Sequence, residues 1–253
     1  MTEPSLFSAA AEERLRQRSP LAARLRPRTL DEVVGQSHLT APGRPLRRLV
    51  DADVLSSVIL WGPPGTGKTT IAEIIATATE REFVRLSAVT SGVKDIRETI
   101  DRANDRIGQY GRSTLVFIDE IHRFSTTQQD ALLHAVESGL ITIIGATTEN
   151  PAFSVNPALR SRSTVFRLNP VGEDDIVALL RRGLEAEGRT AAEDVLRIIA
   201  VRCTGDARQA LTALEVACAI AGTGEVDAVA AAAALDTSVQ RFDRDAHYDI
   251  ASP

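Results

Sequence analysis

Between residues 58 and 168, short apolar runs alternate with longer stretches in which apolar residues recur every three or four positions. The runs are VILW at 58–61, FVRL at 83–86, TLVFI at 114–118, ITIIGA at 141–146 and VFRL at 165–168. Residues 68–79, 93–107 and 128–138 supply helical periods between them, with Ile71, Ile74 and Ile75 on one predicted face. Strands alternating with helices predict an α/β fold with a parallel five-stranded sheet flanked by helices. After Pro170 the strand pattern ends and Ala, Leu, Glu and Arg dominate. EDDIVALLRRGLEAEG, AAEDVLRIIAVRCTG, DARQALTALEVACAIAG and EVDAVAAAAALD read as four helices separated by glycine-bearing turns. The expected organisation is a flexible arm over 1–20, an α/β nucleotide-binding domain over 21–170, a small all-helical lid over 171–240 and a tail over 241–253.

Composition narrows the class. The chain has 253 residues, enough for one composite domain or a domain with a smaller companion. No apolar run approaches the ~20 residues of a membrane span, and the first residues lack the basic-then-apolar order of a secretory signal. No membrane association and a cytoplasmic location are therefore expected. Cys203 and Cys218 share no metal-ligand spacing with the four histidines and read as buried thiols. A net charge of −5 argues against a uniformly basic nucleic-acid coat. Lysine occurs only at Lys68 and Lys94, whereas Arg14, Arg16, Arg18, Arg24, Arg26 and Arg28 crowd one stretch. That cluster reads either as a solvated arm or as a phosphate-contacting one.

The strongest chemical signal is VILWGPPGTGKTT, Val58 to Thr70. A buried strand leads into Gly62, Pro63, Pro64, Gly65, Thr66, Gly67, Lys68 and Thr69, and a helix follows through Thr70. This is the setting of a P-loop, or Walker A motif. The glycines let backbone N–H groups turn onto the β-phosphate of ATP, and the helix adds its positive end. Lys68 is expected to bridge the β- and γ-phosphates and Thr69 to ligate Mg²⁺. Asp119 and Glu120 close the run LVFI, which puts two carboxylates at the carboxyl end of a buried strand as a Walker B pair. Asp119 would share the Mg²⁺, and Glu120 would orient the attacking water. ITIIGA ends in Thr147 and Thr148; Thr148 is the expected contact to the γ-phosphate or water, with Thr147 the neighbouring alternative. His122 and His134 have no evident nucleophile or metal partner, and Trp61 reads as a core residue beside the loop.

GPPGTGKTT, FIDEIHRFSTTQQDALLHAVESG, IIGATTENPAFSVNPALRSRSTVF, TGDARQALTALE and PLAARLRPRTLDEVVGQSHL together resemble the bacterial RarA/MgsA family of replication-associated recombination ATPases, of the AAA+ type. The resemblance covers residues 20 to about 250. It implies that Thr148 is sensor 1. It also implies that Arg162, in Ser161-Arg162-Ser163, is an arginine finger acting on a neighbouring subunit's ATP, with Arg160 the alternative, and that Arg208 is sensor 2. Arg26, Val33, Val34, Gly35 and Gln36 match the stretch lining the adenine pocket, chiefly through backbone and apolar contacts, and SAVTSGVKDIR at 87–97 reads either as a solvated loop and helix start or, by resemblance to a family segment, as a DNA-facing one. Implied partners are DNA, whether single-stranded, gapped or forked, and replication and single-strand-binding proteins, in a nucleoid-associated setting. Family members are tetramers through a further C-terminal domain that this sequence does not reach, so the chain is expected to be monomeric or weakly associating. Two other functions stay open: a clamp-loader-type ATPase, and a slow nucleotide-switched module that recruits repair proteins.

Overall fold

The computed structural model describes residues 19–237, which fall into two compact units. The arm before residue 19, with Arg14, Arg16 and Arg18, and the tail after residue 237 lie outside the described residues.

Residues 27–170 form the α/β unit. Its strands are β1 (Val58–Trp61), β2 (Glu82–Ser87), β3 (Thr114–Asp119), β4 (Ile141–Thr147) and β5 (Thr164–Arg167). They make one sheet in the order β2-β3-β4-β1-β5, with every neighbouring pair parallel. Side chains alternate between faces along a strand, so a sheet covered on both sides needs apolar residues at odd and even positions alike. Val58, Leu60, Leu115, Phe117, Ile144 and Ala146 point into one core layer. Ile59, Val116, Ile118, Ile141 and Ile143 point into the other.

The first layer is closed by α3 (Pro45–Asp51), through Leu46 and Val50, and by α4 (Lys68–Ala78), through Ile71, Ala72, Ile74 and Ile75. Ile71 and Ile75 are one turn apart and both fully buried, so truncating either to Ala should destabilise the unit by roughly 2–5 kcal/mol. The second layer is closed by α5 (Val93–Tyr110) and α6 (Thr126–Glu137). Helix α6 starts at a capping box in which the Ser125 hydroxyl accepts from the Gln128 N–H at 3.3 Å and the Gln128 Oε1 accepts from the Ser125 N–H at 2.9 Å. Two short helices, α7 (Pro151–Ser154) and α8 (Pro157–Ser161), lead from β4 towards β5. Asn150 and Asn156 cap them, and proline at each first position cannot lose an amide bond it never makes. Earlier in the chain, α2 (Ser37–Thr40) precedes α3.

The second unit joins the described residues 19–26 to residues 171–237. It contains α1 (Leu21–Arg24), α9 (Glu173–Glu187), α10 (Glu193–Arg202), α11 (Ala207–Ile220) and helical residues 228–237. Glu173, Asp174 and Asp175 favour the positive end of α9, and Gly188 ends it in the left-handed conformation. Residues 21–26, expected to open the α/β domain, group instead with the helices. Leu21 is fully buried, and its N–H donates to Glu215 at 3.0 Å. Arg24 pairs with Glu187 on α9. A Cβ added to Gly183 would lie 2.6 Å from Leu214 Cδ2 and 3.3 Å from Leu21 Cδ2, so α9 packs closely against α11 and α1 and a side chain at 183 would require Leu214 to move.

Candidate nucleotide site

The sheet order explains the site's position. Strand β1 lies between β4 and β5, whereas the next strand in sequence, β2, sits at the far edge. The chain thus leaves β1 at the point where the strand order reverses, where ligands collect beyond the carboxyl ends of open α/β sheets. Gly62 is the first residue past β1. Its N–H donates to the Thr147 carbonyl at 3.2 Å, and the Leu168 N–H donates to the Trp61 carbonyl at 2.7 Å. A Cβ at Gly62 would meet the Leu168 carbonyl oxygen at 2.5 Å, so glycine is required by backbone on its flank.

Gly65 and Gly67 hold left-handed φ values of +66° and +96°, which turn the loop back on itself and into α4. No side chain caps α4, leaving its first-turn amides for an anion. Thr66 Oγ1 donates to the Pro63 carbonyl at 2.8 Å. Lys68 is 8% exposed, and its ammonium donates to the Gly62 and Pro63 carbonyls, both at 2.8 Å. The loop therefore encloses a cation above a helix N-terminus. Thr69 and Thr70 follow, half-buried, in the first turn.

Asp119 ends β3 and is half-buried. Because β4 separates β3 from β1, Asp119 stands two strand spacings, roughly 10 Å, from the root of the loop and on the same edge of the sheet. Glu120 turns off the strand with φ +53°, a left-handed conformation that costs a non-glycine residue on the order of 1–3 kcal/mol and concentrates at functional sites. Its Oε2 is buried without a hydrogen bond. The two threonines at the end of β4, Thr147 its last residue and Thr148 the first past it, separate by environment. Thr147 is fully buried with its hydroxyl engaged by Glu149 and His122, while Thr148 is half-buried one position further along.

Gln36 brings the segment 33–36 to the loop. Its fully buried amide accepts from the Asn169 N–H at 3.0 Å and donates to the Asn169 carbonyl at 2.8 Å and the Thr66 carbonyl at 3.4 Å. The side chain is committed to backbone, so Val33, Val34 and the positive-φ Gly35, all half-buried, are the parts of this stretch left for a ligand. Arg26 and Arg208 belong to the helical unit, Arg208 exposed in the first turn of α11 behind the Asp206 cap.

Arg162 lies at the opposite edge of the sheet. Thr164 is level with Val58, the first residue of β1, four residues or roughly 13 Å before Gly62. Arg162 is exposed, ion-paired with Glu137 at 2.6 Å, and lines a cleft of about 510 Å³ with Gly139 and Ile141. Arg160 instead donates to the Ala152 carbonyl at 2.6 Å. Sequence reasoning missed His122. Its ring lies between Glu120 and Thr147, a placement that needs contacts across 25 residues and leaves no local pattern.

A parallel sheet with a P-loop after β1 and an acidic pair after β3, followed in sequence by a helical unit, defines a P-loop nucleotide-binding ATPase module of the AAA type. Residues 58–171 match the model of the ATPase family associated with various cellular activities (AAA), and residues 185–253 match the AAA C-terminal domain. The chain belongs to that family, in the group of replication-associated recombination proteins A. It is 49% identical to replication-associated recombination protein A of Escherichia coli over 215 residues, 82% of this chain and 47% of that protein. It is 48% identical to an uncharacterized AAA domain-containing protein of Mycobacterium tuberculosis over 92% of this chain and 54% of that one. The chain spans about half the length of these relatives. Among solved structures, the Thermotoga maritima RuvB Holliday junction branch migration motor matches with a TM-score of 0.71 and 25% identity over 84% of this chain and 72% of that chain.

Proposed function

We propose that this chain is the ATP-hydrolysing core of a DNA-associated ATPase acting in replication-fork maintenance, recombination and repair. The observation that carries the ATP chemistry is the Lys68 ammonium held on the Gly62 and Pro63 carbonyls, inside a glycine-framed loop that shares a sheet edge with Asp119 and Glu120. Phosphate oxygens replace those two carbonyls as partners of Lys68, and the open amides of α4 take the β-phosphate. Among the described residues no cluster of three or more His, Cys, Asp or Glu forms a metal cage. That suits Mg²⁺, which binds through one or two protein oxygens together with nucleotide phosphates, and Thr69 and Asp119 are the residues that would hold it. Bound there, the ion would neutralise charge on the β- and γ-phosphates. Glu120 holds the attacking water and draws its proton, and Thr148 fixes the γ-phosphate or that water.

Arg162 serves a different nucleotide from its own. Its place at the amino edge of the sheet, against Glu137, supports a finger offered to a neighbouring copy, with Arg160, held on the Ala152 carbonyl, the alternative. The DNA role rests on the relatives named for replication-associated recombination and on the RuvB motor's fold. Phosphate release measured with no DNA and with single-stranded, gapped and forked DNA tests it. The proposal expects stimulation by at least one of these that fades as salt rises, since phosphate contacts release counterions. Turnover indifferent to all three DNAs would overturn it.

A further inference from the structure

His122 sits in the turn after the Walker B pair, its side chain 11% exposed. Its Nδ1 lies 3.0 Å from Thr147 Oγ1 and 3.2 Å from Glu120 Oε2, and its Nε2 is 3.8 Å from Glu149 Oε1. The Thr147 hydroxyl donates its proton to the Glu149 carbonyl at 3.2 Å and accepts from the Glu149 N–H at 3.0 Å. What it has left for the imidazole is a lone pair, so Nδ1 carries a proton and points at Thr147. Glu120 Oε2, 3.2 Å from the same Nδ1, is buried and makes no hydrogen bond. The imidazole is clamped to the end of β4, and the carboxylate rests against its edge.

We propose that His122 is a positioning residue for Glu120, holding the carboxylate in register with the end of β4 through Thr147. The proposal rests on the reading that Glu120 handles the attacking water. Glu120 needs such a support. Its backbone is in a sparsely populated conformation, and its side chain has no hydrogen bond on the buried side to choose one orientation. Small displacements of a catalytic base are costly, because the water it holds must stay in line with the γ-phosphate. His122 bonds no group of the P-loop among the contacts described, so its effect should fall on turnover and not on ATP affinity.

The test uses this chain with His122→Ala and His122→Asn, the asparagine keeping an N–H donor near the Nδ1 position. His122→Ala should lower kcat for ATP at least ~10-fold, a share of what a positioned general base contributes, with KM and the ATP dissociation constant unchanged. His122→Asn should recover most of the loss. In a Glu120→Gln background, His122→Ala should cost nothing further, since the group it positions is already gone. Melting temperatures taken alongside identify a variant that fails by unfolding; in that case the kcat–KM split is read on His122→Gln, which stays polar but places its amide near the Nε2 position and leaves none at Nδ1. A kcat for His122→Ala within twofold of the parent, an equal loss of ATP affinity, or a further loss in the Glu120→Gln background would each overturn the proposal. If Glu120→Gln alone kept full turnover, the role of Glu120 would fall and that of His122 with it; an inactive Glu120→Gln beside a fully active His122→Ala would remove His122 only.

Discussion

Replacing Arg162 with alanine separates two roles whose magnitudes differ by an order of magnitude. Within its own chain Arg162 makes an ion pair with Glu137, both side chains about 40% exposed at 41% and 39%, and donates to the Ala158 carbonyl at 2.9 Å. Exposed pairs of this kind contribute roughly 0–1 kcal/mol after solvent screening, so Arg162→Ala should barely shift the denaturant midpoint. As the proposed finger on a neighbour's γ-phosphate, the same guanidinium should supply a factor of ~10³ to 10⁵ in rate. At ~1.4 kcal/mol per tenfold, that is about 4–7 kcal/mol of barrier. The assays are urea unfolding and steady-state phosphate release over a range of chain concentrations. Specific activity of the parent should rise with concentration as encounters complete sites, and Arg162→Ala should lose that rise with its stability intact. Mixing Arg162→Ala with Glu120→Gln should restore part of the activity, because one mixed interface pairs an intact glutamate with an intact arginine. Turnover that is independent of concentration and unchanged by Arg162→Ala would refute the reasoning.

Two further expectations concern the fold. Gly62→Ala puts a methyl 2.5 Å from the Leu168 carbonyl oxygen, a backbone atom that cannot rotate away, and should destabilise the α/β unit by roughly 1–3 kcal/mol in urea titrations while weakening ATP binding. Burial raises the Cys203 thiol from its ordinary 9.0 to about 11, so it should resist alkylation at pH 8 in the native chain and react once unfolded. Its raised value also means that stability present below pH 9 is lost between about pH 9 and 11, where the unfolded thiol ionises first; pH-dependent melting would show the fall.

The five strands were legible because a sheet covered on both faces leaves runs such as VILW and TLVFI that few other structures need. The P-loop was legible because glycine spacing, a lysine and the flanking strand and helix coincide within thirteen residues. What stayed hidden depends on contacts distant in sequence. Nothing local in LAARLR distinguishes a helix of the α/β unit from one packed on α9 and α11, and only Leu21 against Gly183 and Leu214 decides it. Gln36 matched the stretch lining the adenine pocket, but nothing local shows that its amide closes a two-way bond with Asn169, 133 residues later. His122 looked idle for the same reason. The pair Thr147–Thr148 was ambiguous by one residue; Thr147 is the last residue of β4 and carries the buried hydroxyl that His122 engages, while Thr148 lies past the strand end.

The central claim is that Lys68 binds the phosphates while Glu120 acts on water. Calorimetric ATP titration paired with phosphate release, on the parent, Lys68→Ala and Glu120→Gln, tests it in one experiment. The account predicts that Lys68→Ala loses tight ATP binding and that Glu120→Gln binds ATP like the parent but keeps only residual hydrolysis. Equal loss of affinity in both variants, or undiminished hydrolysis by Glu120→Gln, would contradict it.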